Sequence, residues 1–168
     1  VAIVAVDSHT WTGETGPMNE HDPIRALAPT PLWNSFVELN AVPRPSKKEK
    51  RVSDFVEAQG KSYGLETKRD SWGNILIRKP GSLGFESHPT VVLQSHIDMV
   101  CQKNADTDFD FETQGIEMWI DGDWVKARGT TLGADNGIGV ATMLATLQSK
   151  EMKHPPLECL FTIDEETG

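Results

Sequence analysis

Three polar clusters in this chain could do chemistry, and each borders an apolar run. They are Ser95-His96-Ile97-Asp98, the glycine-bounded Leu132-Gly133-Ala134-Asp135-Asn136-Gly137-Ile138-Gly139, and Asp164-Glu165-Glu166. Strand side chains alternate, so His96 and Asp98 should share one face. An imidazole beside a carboxylate suits a metal ligand with its orienting partner, although alone the pair also reads as an ordinary hydrogen-bonded strand end. Asp135 stands among small residues, where glycine lets backbone approach a ligand closely. Alone it reads as a helix N-cap. The three acids at 164–166 repel one another, and burying unpaired charge costs several kcal/mol per ion. A cation would relieve that cost, whereas a solvated turn would avoid it. In an extended segment Glu165 and Glu166 diverge, so one can face a metal and the other a water.

Taken together, the clusters offer only nitrogen and oxygen donors, without cysteine. That set suits Zn²⁺ first, and Mn²⁺ or Co²⁺ as well. A carboxylate shared by two such ions holds them about 3.5–4 Å apart. A hydroxide between them, with a carboxylate as general base, can attack an amide carbonyl. HExxH is absent, which excludes a zincin helix.

The positioning elements follow from apolar spacing. Leu32, Trp33, Phe36, Val37 and Leu39 mark one helical face, introduced by Pro29 and Pro31 and closed by Pro43 and Pro45. Ser46 with Glu49 reads as a capping box for a helix over 47–59 that buries Val52, Phe55 and Val56. Short strands are predicted at 65–69 and 75–77. The run 90–95 is predicted to be a central, buried strand. Residues 102–116 read as a polar loop, and 119–127 as a hairpin turning at Asp121-Gly122. A helix over 136–149 is apolar on nearly all sides, hence deeply buried, and 157–163 is another core strand. Strands interleaved with helices predict an α/β fold with a mixed sheet flanked by helices.

At 168 residues the chain can bury a real core. Its formal net charge of −9 argues against nucleic acid or an anionic membrane as partner. Cys101 and Cys159 form no CxxC and lie in or beside apolar strands, so both read as buried free thiols. That suits a reducing, cytoplasmic compartment. The opening Val1 to Val6 is too short for a membrane span and lacks the basic flank of a signal peptide. Residues 1–29 read as peripheral, with Met18 a candidate start.

The strings Ser95-His96-Ile97-Asp98-Met99-Val100, Leu132 to Gly139 and Thr162-Ile163-Asp164-Glu165-Glu166-Thr167-Gly168 resemble the dinuclear metallopeptidases related to aminoacylase and bacterial carboxypeptidases. Within that group the resemblance is to the cytosolic aminoacyl-histidine dipeptidases. Trp72-Gly73-Asn74-Ile75-Leu76-Ile77-Arg78-Lys79-Pro80 and Trp124 to Thr131 are similar to that branch too. The likeness covers residues 30–168. It implies that His96 binds one metal and Glu166 the other, that Asp135 bridges both, and that the Asp135-Asn136 bond is cis. It implies further that Asp98 orients the His96 side and that Glu165 is the general base. The implied substrates are dipeptides with a free N-terminus, such as Xaa-His. The family has two more ligands and a lid or dimerisation domain downstream of Glu166. Residues 30–168 are therefore expected to be the N-terminal part of a catalytic domain, inactive or nearly so alone, from a protein that could form a homodimer.

Two other patterns need weighing. Asp106, Asp108, Asp110 and Glu117 follow calcium-loop spacing, but Phe111 stands where that loop needs glycine. Gly137-Ile138-Gly139 with Thr142 is close to a dinucleotide fingerprint, so a nucleotide-binding α/β module is the alternative. Against it, Thr142 replaces the third glycine and Asp135 would crowd a pyrophosphate.

Overall fold

The structure is a computed structural model that describes residues 4–5 and 22–168. Its chain order is β1 (Val4–Ala5), α1 (Asp22–Arg25), α2 (Thr30–Asn40), α3 (Lys50–Ser62), β2 (Glu66–Arg69), β3 (Ile75–Lys79), β4 (Val91–His96), β5 (Met118–Asp121), β6 (Trp124–Ala127), α4 (Ala134–Gln148) and β7 (Leu157–Thr162). Four strands form a mixed sheet in the order β2-β3-β7-β4, with β4 and β7 parallel and the other neighbours antiparallel. The fold is α/β, as expected. The hairpin β5-β6 belongs to a second, smaller sheet with β1.

The sheet register explains the main core. Ile75 lies opposite Phe161 and Ile77 opposite Cys159, so alternate residues of β3 and β7 make one apolar face. Val52 and Val56 of α3, with Val140, Met143, Leu144 and Leu147 of α4, pack against that face. Thr142 on α4 stays exposed, and Ile138 and Ala145 are half-buried, so this helix keeps one open side. A second cluster joins Ile24, Trp33, Phe36 and Val37 to Met118 and Val125 of the hairpin. Most of 1–29 lies outside the described residues, including Met18 and, apart from Val4 and Ala5, the apolar opening.

Close packing of α3 on β3 leaves no room at Gly60. A Cβ there would stand 2.4 Å from Thr67 Oγ1 and 2.7 Å from Ile77 Cδ1. Helix propensity alone favours alanine by about 1 kcal/mol. Overpacking costs about 1–3 kcal/mol. Gly60→Ala should therefore lower the denaturation midpoint in urea; an unchanged or higher midpoint would show that the helix shifts freely.

Two expectations need correction. The strand β4 is not central: it pairs with β7 on one side and has no partner on the other among the described residues. Val92 is consequently 59 % exposed, while only the carboxyl end, Ser95 and His96, is buried. Apolar composition marked a strand but could not say which edge finds a partner. The Ser46 capping box also fails. The α3 N-cap is Glu49 in a helical conformation, without a side-chain cap bond. Ser46 and Glu49 both have longer-range partners, described below. The hairpin lies within the expected 119–127, but its two-residue turn is Gly122-Asp123, one residue later than expected, because Asp121 is still paired with Trp124.

Candidate metal centre

Parallel pairing of β4 with β7 sets the site. His96 lies opposite Thr162, so both strands end at the same edge and release Ile97-Asp98 and Asp164-Glu165-Glu166 side by side. Open α/β sheets hold ligands at such carboxyl ends. The start of α4 joins them from the other side.

His96 is 5 % exposed and Asp98 fully buried. The ring nitrogen Nδ1 faces two acceptors, the Asp98 carbonyl at 3.2 Å and Asp98 Oδ1 at 3.3 Å. The proton of a neutral ring therefore belongs on Nδ1, which leaves the Nε2 lone pair outward. Nε2 points at Asp135 Oδ1, 3.1 Å away, with Glu165 Oε2 at 3.8 Å. One atom each from His96, Glu165 and Glu166 fit within 4.8 Å of one another. A lone pair facing carboxylates is repulsive unless a cation lies among them. The residues present thus fit a metal by chemistry as well as by proximity: nitrogen and carboxylate oxygen, no sulfur.

Electrostatics agree. Partial burial pushes the Glu166 carboxyl above its ordinary range, and the charges of Asp135, Glu165 and Asp98 push the same way against the pull of His96. Asp98 shows the opposite balance. Burial pushes it up, but hydrogen bonds from Ser46 and from the Glu166 and Glu165 N–H groups outweigh this and hold it below the usual carboxylate range. Asp98 is thus an anion fixed beside Nδ1 of His96.

Asp135 reaches the cluster through its backbone. Gly133, not Asp135, occupies the N-cap position of α4, at φ 68°. Asp135 and Asn136 have non-helical dihedrals, and the bond between them is cis. The Asp135 side chain stays 78 % exposed. Asp164 turns away: its φ is 56° and its carboxylate accepts the Thr167 hydroxyl at 2.5 Å. His154 binds the Pro155 carbonyl, and His88 stacks on Phe85; both are accounted for by these neighbours.

The glycines of the 133–139 turn serve packing. A Cβ on Gly137 would lie 2.9 Å from Arg44 Nη2 and 3.0 Å from Phe36, and one on Gly139 would lie 2.1 Å from Asn136 Oδ1. Space that a phosphate loop would leave open is filled by protein, which does not favour the nucleotide reading. The acidic loop is no calcium site of the expected kind either: no helix pair flanks it among the described residues, and Phe111 packs edge-on against the buried Phe109.

The residues that sequence reasoning missed lie between Pro43 and Lys50. Arg44 is 1 % exposed. Its Nη2 donates to the Gly133 carbonyl at 2.7 Å and to Asn40 Oδ1 at 2.8 Å, and its Nη1 to the Ile97 and Asp98 carbonyls at 3.3 and 3.4 Å. Burial pushes the guanidinium down to about 10, against the electrostatic pull of Cys101 and Asp98, and leaves it cationic at neutral pH. Glu49 Oε1 accepts the Asp164 N–H at 3.1 Å. A charged residue between two prolines was the sole sequence hint, and it does not indicate burial. Both cysteines are free, Cys159 buried and Cys101 half-buried.

Comparison with known proteins agrees with this geometry. Residues 92–168 match the model of Peptidase family M20/M25/M40. The chain is 51 % identical over 142 residues to the cytosol non-specific dipeptidase of Escherichia coli (strain K12), covering 84 % of this chain and 29 % of that protein. It superposes on the crystal structure of the aminoacylhistidine dipeptidase from Vibrio alginolyticus with a TM-score of 0.84 at 52 % identity, over 86 % of this chain and 30 % of that one. The aminopeptidase PepT of Bacillus cereus ATCC 10987 follows at TM-score 0.67 and 26 % identity, over 82 % of this chain and 37 % of its own. The chain thus spans about 30 % of the length of its dipeptidase relatives. The stretch that carries His96, Asp98, Asp135, Glu165 and Glu166 lies within residues 92–168, the part of the chain that is similar to Peptidase family M20/M25/M40.

Proposed function

We propose that this chain supplies half of a dinuclear metal site that hydrolyses the peptide bond of dipeptides, Xaa-His among them. The observation that carries this reading is the convergence of His96 Nε2 with Asp135 from the start of α4 and with the adjacent Glu165 and Glu166 beyond β7. His96 would hold one divalent ion, Glu166 the other, and Asp135 both; zinc suits these donors first, with manganese and cobalt next. Such ions, when bound, polarise the scissile carbonyl and acidify a water. Glu165, 59 % exposed, takes the proton of the attacking water on a carboxylate oxygen and returns it to the leaving amine nitrogen. Asp98 keeps the His96 proton on Nδ1, so that Nε2 stays available as a ligand. The dipeptidase and aminopeptidase activities of the relatives support a peptide substrate, and the cytosolic setting of the Escherichia coli dipeptidase supports a cytoplasmic one. Residues 30–168 then form the N-terminal part of the catalytic domain, with further ligands and a homodimerising lid domain lying in sequence beyond them.

Glu165→Gln separates base from ligand. In the full-length protein it should lower kcat for a Xaa-His dipeptide by about 10²–10⁴. The Kd for Co²⁺, read from its visible absorption, should stay within about threefold. Loss of cobalt binding in this variant would make Glu165 a ligand instead. Hydrolysis that persists after exhaustive chelation would sink the metal reading altogether.

A further inference from the structure

The helix α3 does not use the Ser46 hydroxyl, since Glu49 is its N-cap. That hydroxyl instead donates to Asp98 Oδ2 at 2.8 Å, a contact between residues far apart in sequence. Asp98 serves several donors at once. Its Oδ2 also accepts the Glu166 N–H at 3.2 Å, and its Oδ1 accepts the Glu165 N–H at 3.3 Å while facing His96 Nδ1 at 3.3 Å. One carboxylate therefore sets both the imidazole and the backbone that carries the two glutamates. Of these partners, Ser46 alone comes from outside the segments that carry His96, Glu165 and Glu166. A carboxylate can rotate about its Cβ–Cγ bond, and a donor fixed on a separate loop is what stops it. The loop is itself held, because Arg44 grips the Ile97 and Asp98 carbonyls and Glu49 grips the Asp164 N–H.

We propose that Ser46 is a positioning residue for the metal centre, acting through Asp98 on His96, Glu165 and Glu166. This rests on the metal reading above. Ser46 is half-buried on a loop, so Ser46→Ala removes a hydroxyl without opening the core. In that variant Oδ2 keeps a single donor, the Glu166 N–H, and the carboxylate is held less firmly against rotation.

The test uses Ser46→Ala, Ser46→Thr and, as a control, Ser53→Ala, whose hydroxyl donates to the Gly73 carbonyl at 3.0 Å instead of to the site. In the metal-free full-length protein, hydrogen exchange is followed on the peptide spanning residues 163–168. Cobalt affinity is then titrated. The expected result for Ser46→Ala is roughly tenfold faster exchange at Glu165 and Glu166 and a Co²⁺ Kd raised about 10-fold or more. Ser46→Thr restores both, and Ser53→Ala moves neither. Unchanged exchange in Ser46→Ala, with wild-type cobalt affinity, overturns the role of Ser46 and leaves the metal centre standing. Faster exchange in a protein whose wild type binds no cobalt removes the metal centre and keeps the Asp98 clamp. Equal effects from Ser53→Ala would reduce Ser46 to general packing and overturn the proposal.

Discussion

In the full-length protein, Asp135→Ala should abolish turnover and metal-dependent stabilisation together, while the metal-free protein melts as the wild type does. Its carboxylate lies 78 % exposed and 3.1 Å from His96 Nε2. Exposed substitutions of this kind change stability by only about 0.5 kcal/mol in either direction. The change can even help the metal-free fold, because the Asp135 charge is among those that push Glu166 up. With metal at 100-fold over Kd, the wild type should gain about 2.7 kcal/mol. Asp135 is proposed to hold both ions, so on that reading its loss should cancel most of that gain and cost about 10³ or more in kcat. Thermal scans with and without Zn²⁺ give the first number, and dipeptide hydrolysis the second. If Asp135→Ala keeps the full zinc-dependent rise in Tm, Asp135 is no ligand and the site must be rebuilt around His96, Glu165 and Glu166.

What could be read from the chain divides by the range of the interaction. Helices α2 and α4 and strands β2, β3 and β7 announce themselves through local periods, because the burial that stabilises them repeats along the sequence. The polar clusters were visible for the same reason: a histidine or a carboxylate at the end of an apolar run is locally out of place. That Asp135 approaches His96 was not local, and neither was the cis bond at Asp135-Asn136, which entered through the resemblance alone. Where the reading failed, a distant partner had overridden a local signal. Ser46 and Glu49 have capping-box spacing, yet Asp98 takes the Ser46 hydroxyl, and Glu49 Oε1 is shared between the Lys47 N–H nearby and the distant Asp164 N–H. The strand β4 has the composition of an interior strand, yet its place at the edge depends on which chain lies beside it. Arg44 belongs to no local pattern, standing between two prolines, and its acceptors are scattered from Asn40 to Gly133.

Arg44 therefore carries the other large effect. Its guanidinium supplies hydrogen bonds to three backbone carbonyls and one side-chain amide in a dry interior, with Nε left unpartnered. Arg44→Met keeps much of the stem and removes every donor. Buried acceptors stripped of their partner cost about 1–3 kcal/mol each, and breaking a buried charged network about 3–5 kcal/mol in all. Arg44→Met should thus lose about 3–5 kcal/mol in urea unfolding, and metal affinity should fall with it, because the Ile97-Asp98 carbonyls are no longer tied to the Gly133 turn. Gly133 gives an independent check. Its φ of 68° alone charges a side chain about 1–2 kcal/mol, and an added Cβ would sit 2.3 Å from Arg44 Nη2. Only the second penalty depends on the arginine. In a double-mutant cycle with Arg44→Ala, Gly133→Ala should therefore cost less than it does in the wild type, with a coupling of about 0.5–3 kcal/mol. Additive losses would mean that the arginine and the turn do not bear on each other, and that the Ile97-Asp98 segment and the Asp135 turn are held in place by something else.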